Sequence, residues 1–216
     1  MNSESFEEQI QAYWKKVQEQ YAPYVAEGGP LENRDYYVFQ TAYRYQPELM
    51  IVGVNPGGNG IGAGSWLAQG SNSYTTGCHP WFDTLRSIFN YPDDEKLAVV
   101  FDNCVGSNKC FVNTGNQKDL PKEINRMSTC LIRELVDIVK PKHILTLGSD
   151  VFCTLKNKPE KVIEFGSTKF KHSKFNETPV AYIPNPSRIN QGSFSPEKIK
   201  EWNDALRWFL FDTSND

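Results

Sequence analysis

The chain has 216 residues, of which 39% are hydrophobic, 13% aromatic and 23% charged, and its formal net charge is -3. This composition excludes a wholly disordered chain and a histone-like protein that binds polyanions through bulk positive charge. The five cysteines are irregularly spaced without a C-x-x-C pair, which argues against a disulfide framework, a zinc knuckle or an iron–sulfur cluster. Polar, acidic first residues and the lack of a long apolar run predict a soluble, cytoplasmic protein without a membrane partner.

The N-terminal region is predicted to form one helix. Apolar and aromatic residues recur at helical spacing from Phe6 to Tyr21, and Ser5 with Glu8 forms a capping-box pattern. Pro23 and the "EGGP" segment after it predict the end of this helix. We therefore expect residues 1–35 to form a helical arm and residues 36–216 to form the main domain.

Strands and helices alternate through the main domain. The segment "ELMIVGV" predicts a strand that is buried on both faces, and a glycine-rich loop follows it as far as Gly77. The other predicted strands are at 97–101, 110–113, 143–148 and 180–184. The predicted helices of this domain begin near Pro80, Pro121, Ser149 and Pro196. A lysine-rich connection without assigned elements covers residues 156–174.

This alternation predicts an α/β fold with a mainly parallel sheet that has helices on both faces. In such sheets, ligands bind at the carboxyl ends of the strands. Three asparagine-bearing loops are expected at that edge, namely "NPGG" from Asn55, "NTGN" from Asn113 and "NPSRIN" from Asn185.

The chemistry of these loops is that of the carboxamide. An asparagine side chain is uncharged, so it is not a strong general base, but it can accept a hydrogen bond from water and both donate to and accept from a polar base. Pro56 biases Asn55 toward an extended backbone, and the glycines nearby permit a close approach of backbone to ligand. The pattern favours a site for a planar, uncharged group and a positioned water. The simpler alternative is that Asn55 and Pro56 only form a turn after a strand.

Two segments carry a resemblance to a known family. "GVNPGG" at 53–58 and "IPNPSRIN" at 183–190 lie in this order at the ends of separate predicted strands. They resemble the two signature motifs of the uracil-DNA glycosylase superfamily, in the form used by its mismatch-specific and single-strand-selective branches. The resemblance implies a uracil-DNA glycosylase-like fold, with three layers, α/β/α, around a central, mainly parallel four-stranded sheet. It also implies a monofunctional hydrolase of base excision repair, which removes uracil or a related damaged base flipped out of DNA. It also implies DNA as the partner, a monomer, and neither a metal nor another cofactor.

The resemblance assigns roles to residues of this chain. Asn55 and Asn185 are implied to be catalytic, with Asn55 positioning the attacking water. The residues implied to bind the base are Gly53, Asn113, Trp66 and Asn116. Asn113 and Asn116 are alternatives for pairing with the base edge, and Tyr74 and Phe82 are alternatives to Trp66 as the aromatic that stacks on the base.

The second motif implies the contacts with DNA. The residues concerned are Ser187, Arg188, Ile189 and Asn190. Ser187 would contact a backbone phosphate, and Ile189 would be the apolar wedge that fills the space left by the flipped base.

Two other functions stay open. A chain that keeps this fold without the chemistry would act as a nucleic-acid-binding or interaction module. A nucleotide-binding enzyme would use the glycine loop for phosphate, but that loop lacks both the G-x-G-x-x-G and the G-K-[ST] patterns. A Schiff-base lyase step is not expected, because position 55 is not a lysine.

Overall fold

The computed structural model describes residues 5–56, 64–68, 70, 72–78, 80–114, 120–186 and 192–212. In this part of the chain, one sheet has the strand order β3-β1-β4-β2-β5-β8-β7-β6. The strands are β1 Tyr36–Phe39, β2 Leu49–Gly53, β3 Ser65–Ala68, β4 Val105–Asn108, β5 His143–Leu147, β6 Lys161–Phe165, β7 Thr168–Phe175 and β8 Thr178–Ile183. The helices are α1 Phe6–Val25, α2 Ser73–Thr76, α3 Pro80–Ile88, α4 Glu95–Asp102, α5 Lys122–Val139, α6 Ser149–Leu155 and α7 Pro196–Phe211.

The middle of the sheet is parallel. Strands β4, β2, β5 and β8 pair in parallel, whereas β1 is antiparallel to β4, and β7 is antiparallel to both β8 and β6. The predicted α/β class is confirmed, but the predicted four-stranded sheet is wrong, because the described sheet has eight strands. The outer strands β3 and β6 are short and mostly exposed, so their sequences lack the apolar signal that identified the central ones.

Helices cover both faces of the sheet. In β2, Met50 and Val52 belong to the buried cluster formed with α1, α5 and α6. Leu49 and Ile51 belong to the other cluster, formed with α2, α3, α4 and α7. Since successive residues of a strand point to opposite faces, this alternation gives the chain two apolar layers, one on each side of the sheet. Each fully buried aliphatic side chain contributes about 1.5–3 kcal/mol to these layers.

Helix α1 packs directly on the sheet. Its predicted capping box is present, since Ser5 N–H donates to Glu8 Oε2 at 2.7 Å and Glu8 N–H donates to Ser5 Oγ at 3.2 Å. Tyr21, which is buried, shares a 2.7 Å hydrogen bond with Ser128 Oγ of α5 and accepts one of 3.1 Å from Phe111 N–H. These buried hydrogen bonds tie the helix of the predicted arm to the layer beneath it.

The prediction of a strand at 97–101 is wrong. These residues lie in α4, where Asp94 Oδ1 caps the first turn by accepting from Leu97 N–H at 3.1 Å. Leu97 and Phe101 are buried, whereas Val99 is 58% exposed, which is the burial pattern of one helical face. A short apolar run does not distinguish a strand from a buried helix by periodicity alone.

The prediction of a strand at 110–113 is also wrong. Strand β4 occupies Val105–Asn108, and only an isolated bridge joins Val112 to Tyr36 in the segment that follows. Three of the four β4 residues, Gly106, Ser107 and Asn108, are small or polar, yet the whole strand is buried. On one face the ring of Tyr74 lies against Gly106. Tertiary packing therefore selects the strand, against the higher strand propensity of the neighbouring apolar residues.

Candidate functional site

Asn55 lies just beyond β2, and its amide is held in one orientation. Its Nδ2 group donates to Thr114 Oγ1 at 2.8 Å, to the Thr114 carbonyl at 3.1 Å and to the Pro56 carbonyl at 3.1 Å. None of the described residues donates to its Oδ1, and the side chain is half-buried. The amide is thus anchored by its nitrogen and presents its oxygen as an acceptor, which is the orientation that can hold a water through one of its O–H groups.

Thr114 is the residue that links the first two asparagine loops. It is 2% exposed, and its backbone N–H donates to the Pro56 carbonyl at 3.3 Å. Together with the bonds from Asn55, this contact clamps the loop after β2 to the segment after β4. The sequence gives Thr114 no special signal, because a threonine beside an asparagine is common loop composition.

Asn185 follows β8 at the same edge of the sheet. A Cβ atom built on Gly148 would lie 3.8 Å from Asn185 Cβ and 3.8 Å from Val54 Cγ2, so Gly148 lies between the ends of β2 and β8. Strands two positions apart in a sheet are separated by about 10 Å. Gly148 has a φ of +106°, which favours glycine, so the chain passes between the two asparagine loops without a side chain.

Trp81, near the start of α3, contacts Asn185. Its Nε1–H donates to Asn185 Oδ1 at 3.1 Å, which directs the Asn185 NH₂ group away from the indole. The indole also packs against Phe82 and Tyr74, with ring centroids 5.1 Å and 5.8 Å away. Sequence reasoning did not single out Trp81, because helical spacing does not show that the first turn of α3 reaches this edge.

Tyr74 lies beneath this aromatic group as a buried, neutral phenol. Its hydroxyl donates to Gln40 Oε1 at 2.7 Å, and burial raises its pKa well above 10.0. The phenol therefore does not exchange protons with a ligand near neutral pH. Its role is to pack against the indole of Trp81.

Asn108 is the asparagine that ends the neighbouring strand. It is 2% exposed and pairs in register with Gly53, and its Nδ2 is buried without an acceptor among the described residues. A Cβ atom on Gly53 would lie 2.6 Å from Asn108 Oδ1, so the amide lies over the bare backbone of Gly53. An unpaired buried amide donor costs about 1–3 kcal/mol, which a ligand acceptor would recover. The sequence interpretation missed Asn108 because it placed the strand end at Asn113.

The structure does not bring Trp66 next to Asn55. Trp66 lies on the edge strand β3, where it is 45% exposed, and β3 is three positions away from β2 in the sheet. That separation is about 14 Å. Tyr74 and Phe82, the two alternatives, lie closer to the site, in the aromatic group with Trp81.

Asn113 lies beyond the end of β4. Its backbone N–H donates to the Asp35 carbonyl at 2.7 Å, and its Oδ1 is buried without a donor among the described residues. It therefore stays a candidate for an acceptor that faces a ligand. The predictions for Asn116, Ser187, Arg188, Ile189 and Asn190 fall outside the described residues.

An ion pair between a buried lysine and a half-exposed aspartate lies beside these amides. Lys109, which is 3% exposed, places its Nζ 2.8 Å from Asp150 Oδ2 in the first turn of α6. Lys109 N–H also donates to the Gly53 carbonyl at 2.8 Å. The sequence does not single out this lysine, because an isolated lysine is normally a surface residue.

Two grooves lie elsewhere in the described part of the chain. One groove of about 530 Å³ is lined by Glu48, Glu95 and His143 at the opposite, amino edge of the sheet. A second groove lies between α1 and α5, beside Tyr24 and Met127. Neither groove is near the asparagine loops. Within the ranges given above, no group of three or more His, Cys, Asp or Glu side chains is arranged to hold a metal ion, and none of the helices has the length and apolar character to traverse a bilayer.

A scan against models of protein families gives no match to this chain, and a search of curated proteins gives none either. The family resemblance therefore stays a prediction that depends on the two motifs.

Proposed function

We propose that this protein is a monofunctional DNA glycosylase, which hydrolyses the N-glycosidic bond of uracil, or of a related damaged base, flipped out of DNA. The observation that carries the proposal is the anchored amide of Asn55, whose oxygen is presented as an acceptor at the carboxyl edge of a parallel sheet. Such edges are where α/β proteins bind their ligands. The two motifs that resemble those of uracil-DNA glycosylases add independent support.

In the proposed reaction, Asn55 Oδ1 accepts a hydrogen bond from the attacking water. The water oxygen forms a bond to C1′ of the deoxyribose while the bond from C1′ to the base nitrogen breaks. The electron pair of that bond leaves on the base as an anion, and the proton of the water passes to the base or to solvent. The products are the free base and an abasic site.

The amides of Asn108 and Asn113 would recognise the base. Asn108 Nδ2 is a buried donor and Asn113 Oδ1 is a buried acceptor, and neither has a partner among the described residues. A uracil edge offers carbonyl acceptors and an N–H donor, so it satisfies both kinds of amide atom. Trp81, which donates to Asn185 at the same edge of the sheet, supplies an aromatic surface nearby.

The uncharged asparagines of the candidate site limit the range of bases that the protein would release. Asn55, Asn108 and Asn185 carry no charge near neutral pH, so none of them is a strong base for the water or an acid for the leaving base. Catalysis would then depend on positioning and on preorganised donors. Bases that leave readily as anions, such as uracil, are expected to react, and thymine is expected to react slowly.

A labelled oligonucleotide with one uracil tests the proposal. We expect the protein to convert it to an abasic product that alkali cleaves, and to leave the matching thymine oligonucleotide largely intact. Asn125→Ala changes an exposed asparagine of α5, is the control for Asn55→Ala and should not affect the yield of abasic product. Binding of the uracil oligonucleotide without any abasic product would contradict the enzyme and favour the nucleic-acid-binding module.

A further inference from the structure

Lys109 is the most deeply buried cation that the described residues hold near the candidate site. Its side chain is 3% exposed, whereas its partner Asp150 is 45% exposed. A lysine is almost never buried to this degree unless its charge is paired, because removing an ammonium group from water costs several kcal/mol. Any role for this pair must explain why the cation, and not the anion, lies inside.

The pair crosses the end of β2. Lys109 extends from the end of β4, and Asp150 lies just after β5, on the other side of β2 in the strand order. Lys109 N–H and Cys110 N–H donate to the carbonyls of Gly53 and Val54, each at 2.8 Å. The lysine side chain therefore passes the end of β2, from which the chain continues into Asn55.

The two charges of the pair are not screened equally. Water surrounds the half-exposed carboxylate of Asp150 and weakens its field. The ammonium group of Lys109 is enclosed by protein, where the effective dielectric constant is lower and its field extends further. At the end of β2, the electrostatic potential of the pair is therefore positive.

Asp150 has a second source of stabilisation. It lies in the first turn of α6, where the helix N-terminus favours a negative charge. The carboxylate is thus held by the helix and by water as well as by Lys109. This arrangement lets the lysine charge act on a second anion without losing its resident partner.

We propose that Lys109 stabilises the negative charge that develops on the departing base, acting through its field across the end of β2. The inference rests on the proposed function, since it names the group that compensates for the lack of an acid among the amides. It predicts that the charge of Lys109 matters most for bases that are poor leaving groups.

A comparison of two leaving bases tests this role. Single-turnover release is measured for uracil and for 5-fluorouracil, the more acidic base, in otherwise identical oligonucleotides. We expect Lys109→Met, a neutral side chain of similar length, to slow uracil release about ten-fold or more. This is less than the loss of about 10²–10³-fold when a directly bonded donor is removed, because Lys109 acts only through its field. Release of 5-fluorouracil should fall clearly less, because its anion needs less stabilisation.

Asp150→Asn is the matched variant, because it removes the opposite charge of the same pair. We expect it to leave uracil release unchanged or to raise it, since the amide oxygen can still accept from Lys109 while the negative charge is gone. A merely structural ion pair would instead give similar losses from both variants. Rates are compared after circular dichroism confirms that each variant is folded. If Lys109→Met unfolds, Lys109→Arg replaces it. Because Lys109→Arg keeps the positive charge, it should retain most of the activity.

The outcomes separate this inference from the proposed function. If the wild-type protein releases neither base, the proposed function fails. If it releases both, and Lys109→Met lowers the two rates by the same factor, or Asp150→Asn lowers uracil release as much as Lys109→Met, or Lys109→Arg loses the activity, only the role of Lys109 is overturned.

Discussion

Replacing Gly53 with alanine tests the packing at the centre of the candidate site. The new Cβ would lie 2.6 Å from Asn108 Oδ1, which is 0.8 Å short of the 3.4 Å at which ordinary van der Waals contact begins. Asn108 is 2% exposed, so its amide cannot move into solvent to relieve the contact. Overpacking of this kind costs about 1–3 kcal/mol. We expect Gly53→Ala to lower the free energy of unfolding by an amount in this range.

The assay is equilibrium unfolding in urea, which does not depend on the proposed activity. Asn108→Ala removes the atom that the new methyl group meets, so Gly53→Ala should cost less than about 0.5 kcal/mol in that background. Gly192→Ala is the control, because a Cβ there meets no heavy atom within 4 Å. The geometry would be refuted if Gly53→Ala lowered the free energy of unfolding equally in the wild type and in Asn108→Ala, or if Gly53→Ala alone were as stable as the wild type.

Three further predictions concern other parts of the chain. Tyr21→Phe leaves the buried N–H of Phe111 without its 3.1 Å acceptor and should cost about 1–3 kcal/mol of unfolding free energy; unchanged urea stability would show that the contact contributes nothing. Trp81→Phe keeps a ring but loses the bond to Asn185, so uracil release should slow about ten-fold with stability changed by less than about 1 kcal/mol, and an unchanged rate would rule out this positioning. Burial lowers the pKa of His143 from 6.5, so as the pH falls the unfolded chain binds the proton before the folded chain does. The free energy of unfolding is therefore unaffected by His143 above about pH 6.5 and decreases as the pH falls below it. Lowering the pH from 7 to about 5 should therefore reduce the free energy of unfolding of the wild type more than that of His143→Phe. Parallel plots of unfolding free energy against pH for the two proteins would contradict the assignment.

The sequence predicted the elements whose signals are local. The capping box at Ser5 and the one-sided apolar pattern of α5 identify helices without tertiary information. The apolar runs of β2, β5 and β8 are long enough to identify buried parallel strands. Their carboxyl ends, with Asn55 and Asn185, follow from the fold class alone, because parallel strands end at one edge.

The parts that sequence reasoning missed are set by tertiary packing. Strand β4 contains Gly106 and Asn108, whose weak strand propensity is overridden by the Tyr74 ring and by pairing with β2. The strand end was therefore placed at Asn113, five residues too late. Lys109 carries no local signal for burial, since only its pairing with Asp150 makes it tolerable inside the protein.

The central claim is that the amide of Asn55 positions the water that attacks the sugar. The most direct test is the single-turnover rate of uracil release by Asn55→Ala, with enzyme in excess over a uracil oligonucleotide so that binding and product release do not limit the rate. The variant removes the acceptor that Thr114 holds in place, and the rate should fall about 100-fold or more relative to the wild type, with DNA binding retained. A folded Asn55→Ala protein that releases uracil as fast as the wild type would contradict the mechanism.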